Sequence, residues 1–185
     1  MQDEESLVQR AKQGDQWAFT QLYEAHFDRI YRYVVLKIGD RIEAEDMTQQ
    51  VFIKALQSIS SFNWKGAPFA AWLYRIAHNQ IVDYLRKKKR KPETALDESL
   101  LSSDSNPQLM TERNLDIEQV LLATKRLTDA QREVISLRFT SELPVAQVAK
   151  IMKKSEGAVK ALQHSAIVAL RKTLLVGDNE EVQRI

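Results

Sequence analysis

The chain has 185 residues and 21.3 kDa, is 44% hydrophobic and 28% charged, and balances 27 Lys+Arg against 25 Asp+Glu, which excludes compositional disorder and membrane embedding. Only 5 Gly and 4 Pro are present, too few for a turn-rich sandwich or barrel, and the absence of Cys excludes a disulfide framework, a thiolate zinc site and a Cys nucleophile. The expectation is an all-α, cytoplasmic protein of one or two small domains in a reducing compartment. Apolar runs such as Tyr33 to Leu36 fall far short of the roughly 20 residues of a membrane helix, and the start MQDEES lacks a basic and apolar leader pattern, so neither membrane insertion nor secretion is expected.

In chain order, a short helix is expected from Glu4 to Gln13, stopped by Gly14. Asp15 then serves as N-cap to a helix in which Phe19, Leu22, Tyr23, Phe27, Ile30 and Val34 recur every three or four residues until Gly39. From Arg41 to about Ser60, Met47, Val51, Ala55 and Ile59 form an inward stripe. The other side combines polar Glu45, Asp46, Gln49 and Gln50 with apolar Phe52, Ile53 and Leu56. That apolar arc is wider than one buried face requires, so the helix is either covered on two sides in its own bundle or docks on another protein. Asn63 to Pro68 reads as a loop, and Pro68 opens a helix reaching Arg86 or beyond, with Phe69, Trp72, Leu73, Ile76, Ala77, Ile81, Tyr84 and Leu85 inward.

Opposite that stripe lie Arg75, His78, Asn79, Asp83 and Arg86, leading into Arg86 to Lys91, RKKKRK. Such a face, with Asn63, Trp64 and Lys65 in the preceding loop and Lys87 in the cationic run, suits nucleic acid. Cations meet phosphates, an amide pairs with a base edge, and an aromatic stacks on an unpaired base. Each residue also has a plainer reading as a bundle cover, a cap or a solvated helix end.

The sign of the charge then flips. From Pro92 to Glu112 the charged residues are Glu93, Asp97, Glu98, Asp104 and Glu112, among Ser and Pro, which reads as an acidic flexible linker over 92–112 between domains 1–91 and 113–185. Beyond it, Leu115 to Lys125 is amphipathic, and Thr128 with Gln131 forms a capping box opening a helix to about Phe139. Pro144 opens another with Val145, Val148, Ala149, Ile151 and Met152, and Ser155 caps a last one with Val159, Leu162, Ala166 and Leu170 inward. This is helix-turn-helix spacing, with Lys153 at a turn that often takes Gly, where a left-handed residue other than Gly costs about 1 kcal/mol. The second helix presents Glu156, Lys160, Gln163 and His164 to a major groove, with Lys154 toward phosphate.

These residues resemble the extracytoplasmic-function (ECF, group 4) sigma factors of the sigma-70 family. AEDMTQQVFIKAL at Ala44 to Leu56 is similar to the family's region 2.2, FAAWLYRIAHNQIVDYLRKKKR at Phe69 to Arg90 to its segment reading the -10 element, and RLTDAQREVISLRF with VAQVAKIMKKSEGAVKALQHSA to region 4. The resemblance implies two helical domains, region 2 and region 4, and a promoter-specificity subunit without catalysis or cofactor. Its partners would be core RNA polymerase (the beta-prime coiled coil and the beta flap), promoter DNA and an anti-sigma factor. Asp46, Gln49, Gln50 and Phe52 would meet the coiled coil. Asn63 to Pro68 would take a flipped base of the melted -10 strand beside Asn79. Lys160, Ala161, His164 and Ser165 would meet the -35 duplex, with Arg138 on phosphate. The family often has Arg at the position of Ser165, and Ala161 and Gln163 make the recognition face less cationic than common. Phosphate anchoring is then expected to lean on Arg138, Lys153, Lys154 and Lys160. The alternative is a free-standing helix-turn-helix regulator, which leaves the first half without a role. An enzyme is disfavoured: His26, His78 and His164 are scattered, and HExxH, GxxxxGK[ST] and GxSxG are absent.

Overall fold

A computed structural model describes residues 3–63, 67–90, 124 and 126–182. Trp64 and Lys65, the 92–112 linker, and all of the 115–125 helix except Thr124 lie outside the described residues. The described residues are helical, with no strand among them. They form α1 (Glu4–Lys12), α2 (Gln16–Ile38), α3 (Arg41–Ser58) with a 3-10 turn at Ile59–Ser61, and α4 (Phe69–Arg90). After the linker come α5 (Asp129–Ile135), which runs into a π-type turn at Ser136–Thr140, then α6 (Val145–Met152) and α7 (Glu156–Val182).

The helix ends follow from local chemistry. Asp15 accepts the Ala18 amide at 3.1 Å, and Asp40 accepts that of Glu43 at 2.9 Å, each satisfying a donor that the first helical turn leaves open. The Ala18 amide and then Arg10, which bridges to Asp15 at 2.6 Å, hold the Asp15 carboxyl below its usual range. Gly39 closes α2 at φ 83°, a left-handed position that glycine takes without a Cβ clash. Thr128 and Gln131 satisfy each other's amides in a complete capping box at the start of α5.

α2 is the axis of the fold. α1, α3 and α4 pack around it, and α5 with its π-type turn closes on it from the other half of the chain. Tyr33, Val34 and Val35 are consecutive and all fully buried. A helix with one buried face cannot do this; one surrounded by neighbours must. Burial of each such side chain contributes about 1.5–3 kcal/mol. Two aromatic clusters brace the bundle: Tyr23 and Phe27 with Phe52, and Phe62, Phe69 and Trp72 with ring centroids 5.2–5.5 Å apart. Lys12 donates to the Phe62 carbonyl at 2.8 Å and ties α1 to the second cluster.

In the C-terminal half, Val148, Ala149 and Ile151 of α6 and Val159 of α7 are buried in one core, with Met152 and Leu162 against it. The same cluster takes in the core of the N-terminal bundle, so the two halves share one hydrophobic cluster.

Candidate functional site

Three surfaces and one buried cluster carry the polar chemistry. On α3, Asp46, Gln49 and Gln50 are exposed on one side. Phe52 is not with them: it is 4% exposed and its ring sits 4.8 Å from that of Tyr23. The apolar component of this face is instead Ile53, 56% exposed, and Leu56. Phe52 stiffens the helix from beneath while Ile53 and Leu56 meet solvent. A groove between α3 and α4 runs alongside, lined by Glu43, Asp46, Gln50, Gln80, Asp83 and Lys87 among others. At its edge the Tyr84 hydroxyl donates to Glu43, and Lys88 donates to Tyr84 at 3.2 Å.

On α4, Arg75, Asn79, Arg86 and Lys87 are exposed, as is Asn63 before the loop. Arg86 is paired with Asp83 one turn back at 2.9 Å, a solvated pair of little strength. His78 differs from its neighbours. It is only partly exposed, and its Nδ1 lies 3.0 Å from Oε1 of Glu133, a residue of α5.

The helix-turn-helix is formed by α6 and α7. Lys153 caps α6 in the left-handed conformation, φ 53° and ψ 45°. The Lys154 amide reaches back to the Ala149 carbonyl at 3.0 Å, and Ser155 accepts the Ala158 amide at 3.2 Å. Lys154, Lys160, Ala161, His164 and Ser165 are exposed. Gln163 is half-buried and accepts from Arg138 Nε at 3.1 Å, while Arg138 also donates to the Leu143 carbonyl. Arg138 is therefore a strut between the π-type turn, the loop after it and α7, with only part of its donor fork left over for another ligand. Ser165 is likewise engaged, receiving a hydrogen bond from Gln131 at 3.1 Å.

The buried cluster was not legible from helical spacing. The Glu133 carboxylate accepts from the Tyr33 hydroxyl, lies 3.0 Å from His78 Nδ1, and pairs with Lys37 Nζ at 2.6 Å. The Lys37 and Glu133 side chains are 7% and 5% exposed. Burial alone pushes the Glu133 carboxyl up, but the hydrogen bond to His78 and the Lys37 ammonium outweigh it and bring it down to about 2. Burial and then Glu133 push the Tyr33 hydroxyl well above its ordinary value. The neighbouring Tyr74 hydroxyl, held near Ser141 without a well-formed hydrogen bond, is pushed up to about 12 by burial. The one sequence signal was that Glu133 stands four residues before Leu137, on the apolar side of its helix.

Among the described residues no group of three or more His, Cys, Asp or Glu is placed to hold a metal, and no helix is long and apolar enough to cross a membrane.

Comparison with known proteins identifies the family. Residues 22–91 match Sigma-70 region 2, and residues 123–172 match Sigma-70, region 4. The chain is 36% identical over 170 residues to the ECF RNA polymerase sigma factor BldN of Streptomyces coelicolor, covering 91% of this chain and 64% of that protein. It is 32% identical over 182 residues to the ECF RNA polymerase sigma factor SigW of Bacillus subtilis, covering 90% of this chain and 94% of that one. The sigma factor RpoE of Bartonella quintana, solved with the anti-sigma factor NepR, superposes with a TM-score of 0.72 at 25% identity, over 85% of this chain and 97% of that one. The chain belongs to the ECF RNA polymerase sigma factors of the sigma-70 family.

Proposed function

We propose that this chain is a cytoplasmic promoter-specificity subunit, without catalysis of its own, that binds core RNA polymerase and directs initiation. Residues 1–91 act as the unit that docks on polymerase and captures the melted -10 strand, 92–112 as an acidic tether, and 113–185 as the unit that reads the -35 duplex. The observation that carries this reading is the pairing of two exposed, cation-bearing helix faces in one chain: Arg75, Asn79, Arg86 and Lys87 on α4, and Lys160, Ala161, His164 and Ser165 on α7. Two reading faces suit a factor that sees duplex with one and opened strand with the other.

Asp46, Gln49 and Gln50, with Ile53 and Leu56 beside them and Phe52 supporting from below, are the surface proposed for the beta-prime coiled coil. The beta flap would be met by the C-terminal unit. Asn63, Trp64 and Lys65 lead into the α4 face and are proposed to hold the extruded base with Asn79. Lys154 and Arg138 would contact phosphate, and Gln163 would orient Arg138. The relative RpoE was solved with an anti-sigma factor, and this chain is proposed to have such a partner.

Run-off transcription with core polymerase on a random promoter library tests the reading. Polymerase-dependent initiation from a defined -35 and -10 pair is the expected result. Duplex binding without polymerase and without initiation would instead make the chain a free-standing helix-turn-helix regulator. Asn79→Ala combined with Trp64→Ala should reduce initiation from duplex promoters much more than from templates already opened at -10.

A further inference from the structure

We infer that α1 sets the position of the base-capturing loop, with Lys12 and the Glu4–His26 pair as positioning residues that hold the loop's two stems. This rests on the reading of Asn63 to Pro68 as the segment that takes the extruded base.

The residues that flank the loop, Phe62 before it and Phe69 after it, are 3% and 0% exposed. Their rings meet edge-on, centroids 5.5 Å apart and planes at 88°, so the chain leaves the bundle and returns to it at one place. Trp72, one turn into α4, packs against both, 5.2 Å from Phe62 and 5.5 Å from Phe69. A backbone hydrogen bond completes each stem. The Phe62 amide donates to the Ile59 carbonyl at 3.0 Å, and the Trp72 amide to the Pro68 carbonyl at 3.3 Å. Asn63, the residue after the first stem, is exposed.

α1 reaches both stems, one from each of its ends. Lys12, in the last turn, donates to the Phe62 carbonyl at 2.8 Å. A lysine there can bond the final carbonyls of its own helix; Lys12 instead bonds a carbonyl 50 residues away. In the first turn, Glu4 Oε1 lies 2.7 Å from His26 Nε2, and the His26 ring, 7% exposed, meets the Phe69 ring edge-on at 5.5 Å. Between these ends, buried Val8 and Ala11 seat the helix on the bundle. α1 lies outside residues 22–91, the stretch that matches Sigma-70 region 2, so the hold on the loop comes from beyond the matched unit. Ordering a loop costs conformational entropy, and a loop whose ends are already fixed gives up less of it on binding. Telling one base from another also needs polar groups held in a single geometry, which a shift of about 1 Å in their supports blurs.

The test uses the full-length chain with core polymerase on templates already opened at -10, each carrying one of the four bases at the position where the parent discriminates most. Prior opening removes melting from the readout, which is the ratio of initiation on the preferred base to that on the others. Lys12→Met keeps the aliphatic stem and removes the donor, and Glu4→Ala removes the partner of His26. Each should lower the ratio by about threefold to tenfold, the scale of one lost hydrogen bond. Lys12→Arg should restore most of what Lys12→Met loses, and Gln9→Ala, exposed on the same helix, should leave the ratio unchanged. Amide hydrogen exchange of the free protein by nuclear magnetic resonance supplies the second arm. The Phe62 amide should exchange severalfold faster in Lys12→Met and the Trp72 amide severalfold faster in Glu4→Ala, with α7 amides as in the parent.

Exchange rates like the parent's in both variants would overturn the hold of α1 on the stems, whatever the base ratio does. Faster exchange with an unchanged ratio, in a protein whose ratio Trp64→Ala abolishes, would make α1 a stabiliser of the fold alone and overturn its positioning role. Faster exchange with a ratio that Trp64→Ala also leaves intact would remove the loop from base capture, while the hold of α1 on its stems stands.

Discussion

The α4 and α7 faces both present cations and amides to solvent, yet they are held in different ways. On α7, Lys160, Ala161, His164 and Ser165 point away from the core, and the helix is fixed from behind by Val159 and Ala166 and from the side by Arg138 and Gln131. Both of those side-chain struts belong to the C-terminal half. On α4, Arg75 and Asn79 are free to meet a ligand, but His78 is engaged across the boundary by Glu133, and Lys37 beside it is buried in the same cluster. The α7 face is exposed in this arrangement, whereas one residue of the α4 face, His78, is engaged across the boundary.

The largest expected effect comes from the residue shared by both halves. Tyr33 is fully buried, stacks edge-on against Tyr74 with centroids 5.3 Å apart, and reaches Glu133. Tyr33→Ala should cost about 3–5 kcal/mol in urea unfolding, with loss of order on both sides of the boundary by hydrogen exchange. Val159→Ala, on α7 and outside the Glu133 cluster, should leave the α4 bundle protected while loosening α7. If both variants loosened both halves equally, the chain would be one cooperative unit and the contrast would fail.

Acid is the next lever. In the folded protein, against burial, His78 and Lys37 hold the Glu133 carboxyl down at about 2, so its contribution is fully present above the unfolded carboxyl value and is lost as pH falls from about 4.5 toward 2. The shift corresponds to about 3 kcal/mol at most, as an order of magnitude. Urea unfolding at a series of pH values should therefore show stability lost through that acid window, with Glu133→Gln showing no such loss.

How far the sequence revealed these features depends on the range of the physics involved. Asp15, Gly39, the Thr128–Gln131 box, Pro144 and Ser155 act within four residues, and each marked a helix end where the structure has one. The α4 stripe through Phe69, Trp72, Leu73, Ala77 and Ile81 was equally visible, whereas burial of Ala71 and Tyr74 beside it was not, because α4 also meets the C-terminal half. Burial of Tyr33, Val35 and His26 was not, since a stripe assumes neighbours on one side and α2 has them all round. Phe52 lies at the margin of its helix stripe, where periodicity does not decide between solvent and the Tyr23 pocket. Tyr33 and Glu133 are 100 residues apart in sequence, and no local pattern announces that contact.

A smaller effect separates phosphate contacts from struts. Lys160 is exposed with no structural partner described, so Lys160→Ala should lower the salt dependence of promoter binding by the polymerase complex by about 0.9 in log–log slope and leave stability unchanged. Arg138→Ala removes bonds to Gln163 and the Leu143 carbonyl and should cost about 1–3 kcal/mol of stability, with a smaller change in slope. Equal slopes for the two variants would make Arg138 a phosphate ligand first.

The smallest effect is at the turn itself. Lys153 sits at φ 53° and ψ 45°, where a Cβ costs about 1 kcal/mol relative to Gly. Lys153→Gly relieves that strain, while the greater freedom of Gly in the unfolded chain takes back about 0.4–1 kcal/mol. The lysine charge helps the C-terminus of α6 and opposes the N-terminus of α7, so the two dipole effects nearly cancel. Stability should therefore rise by a few tenths of a kcal/mol at most, seen as a small increase in urea midpoint. A binding loss in the same variant, at unchanged or higher stability, would assign the strained lysine to DNA contact, because the turn keeps its backbone geometry with Gly and only the ammonium is gone.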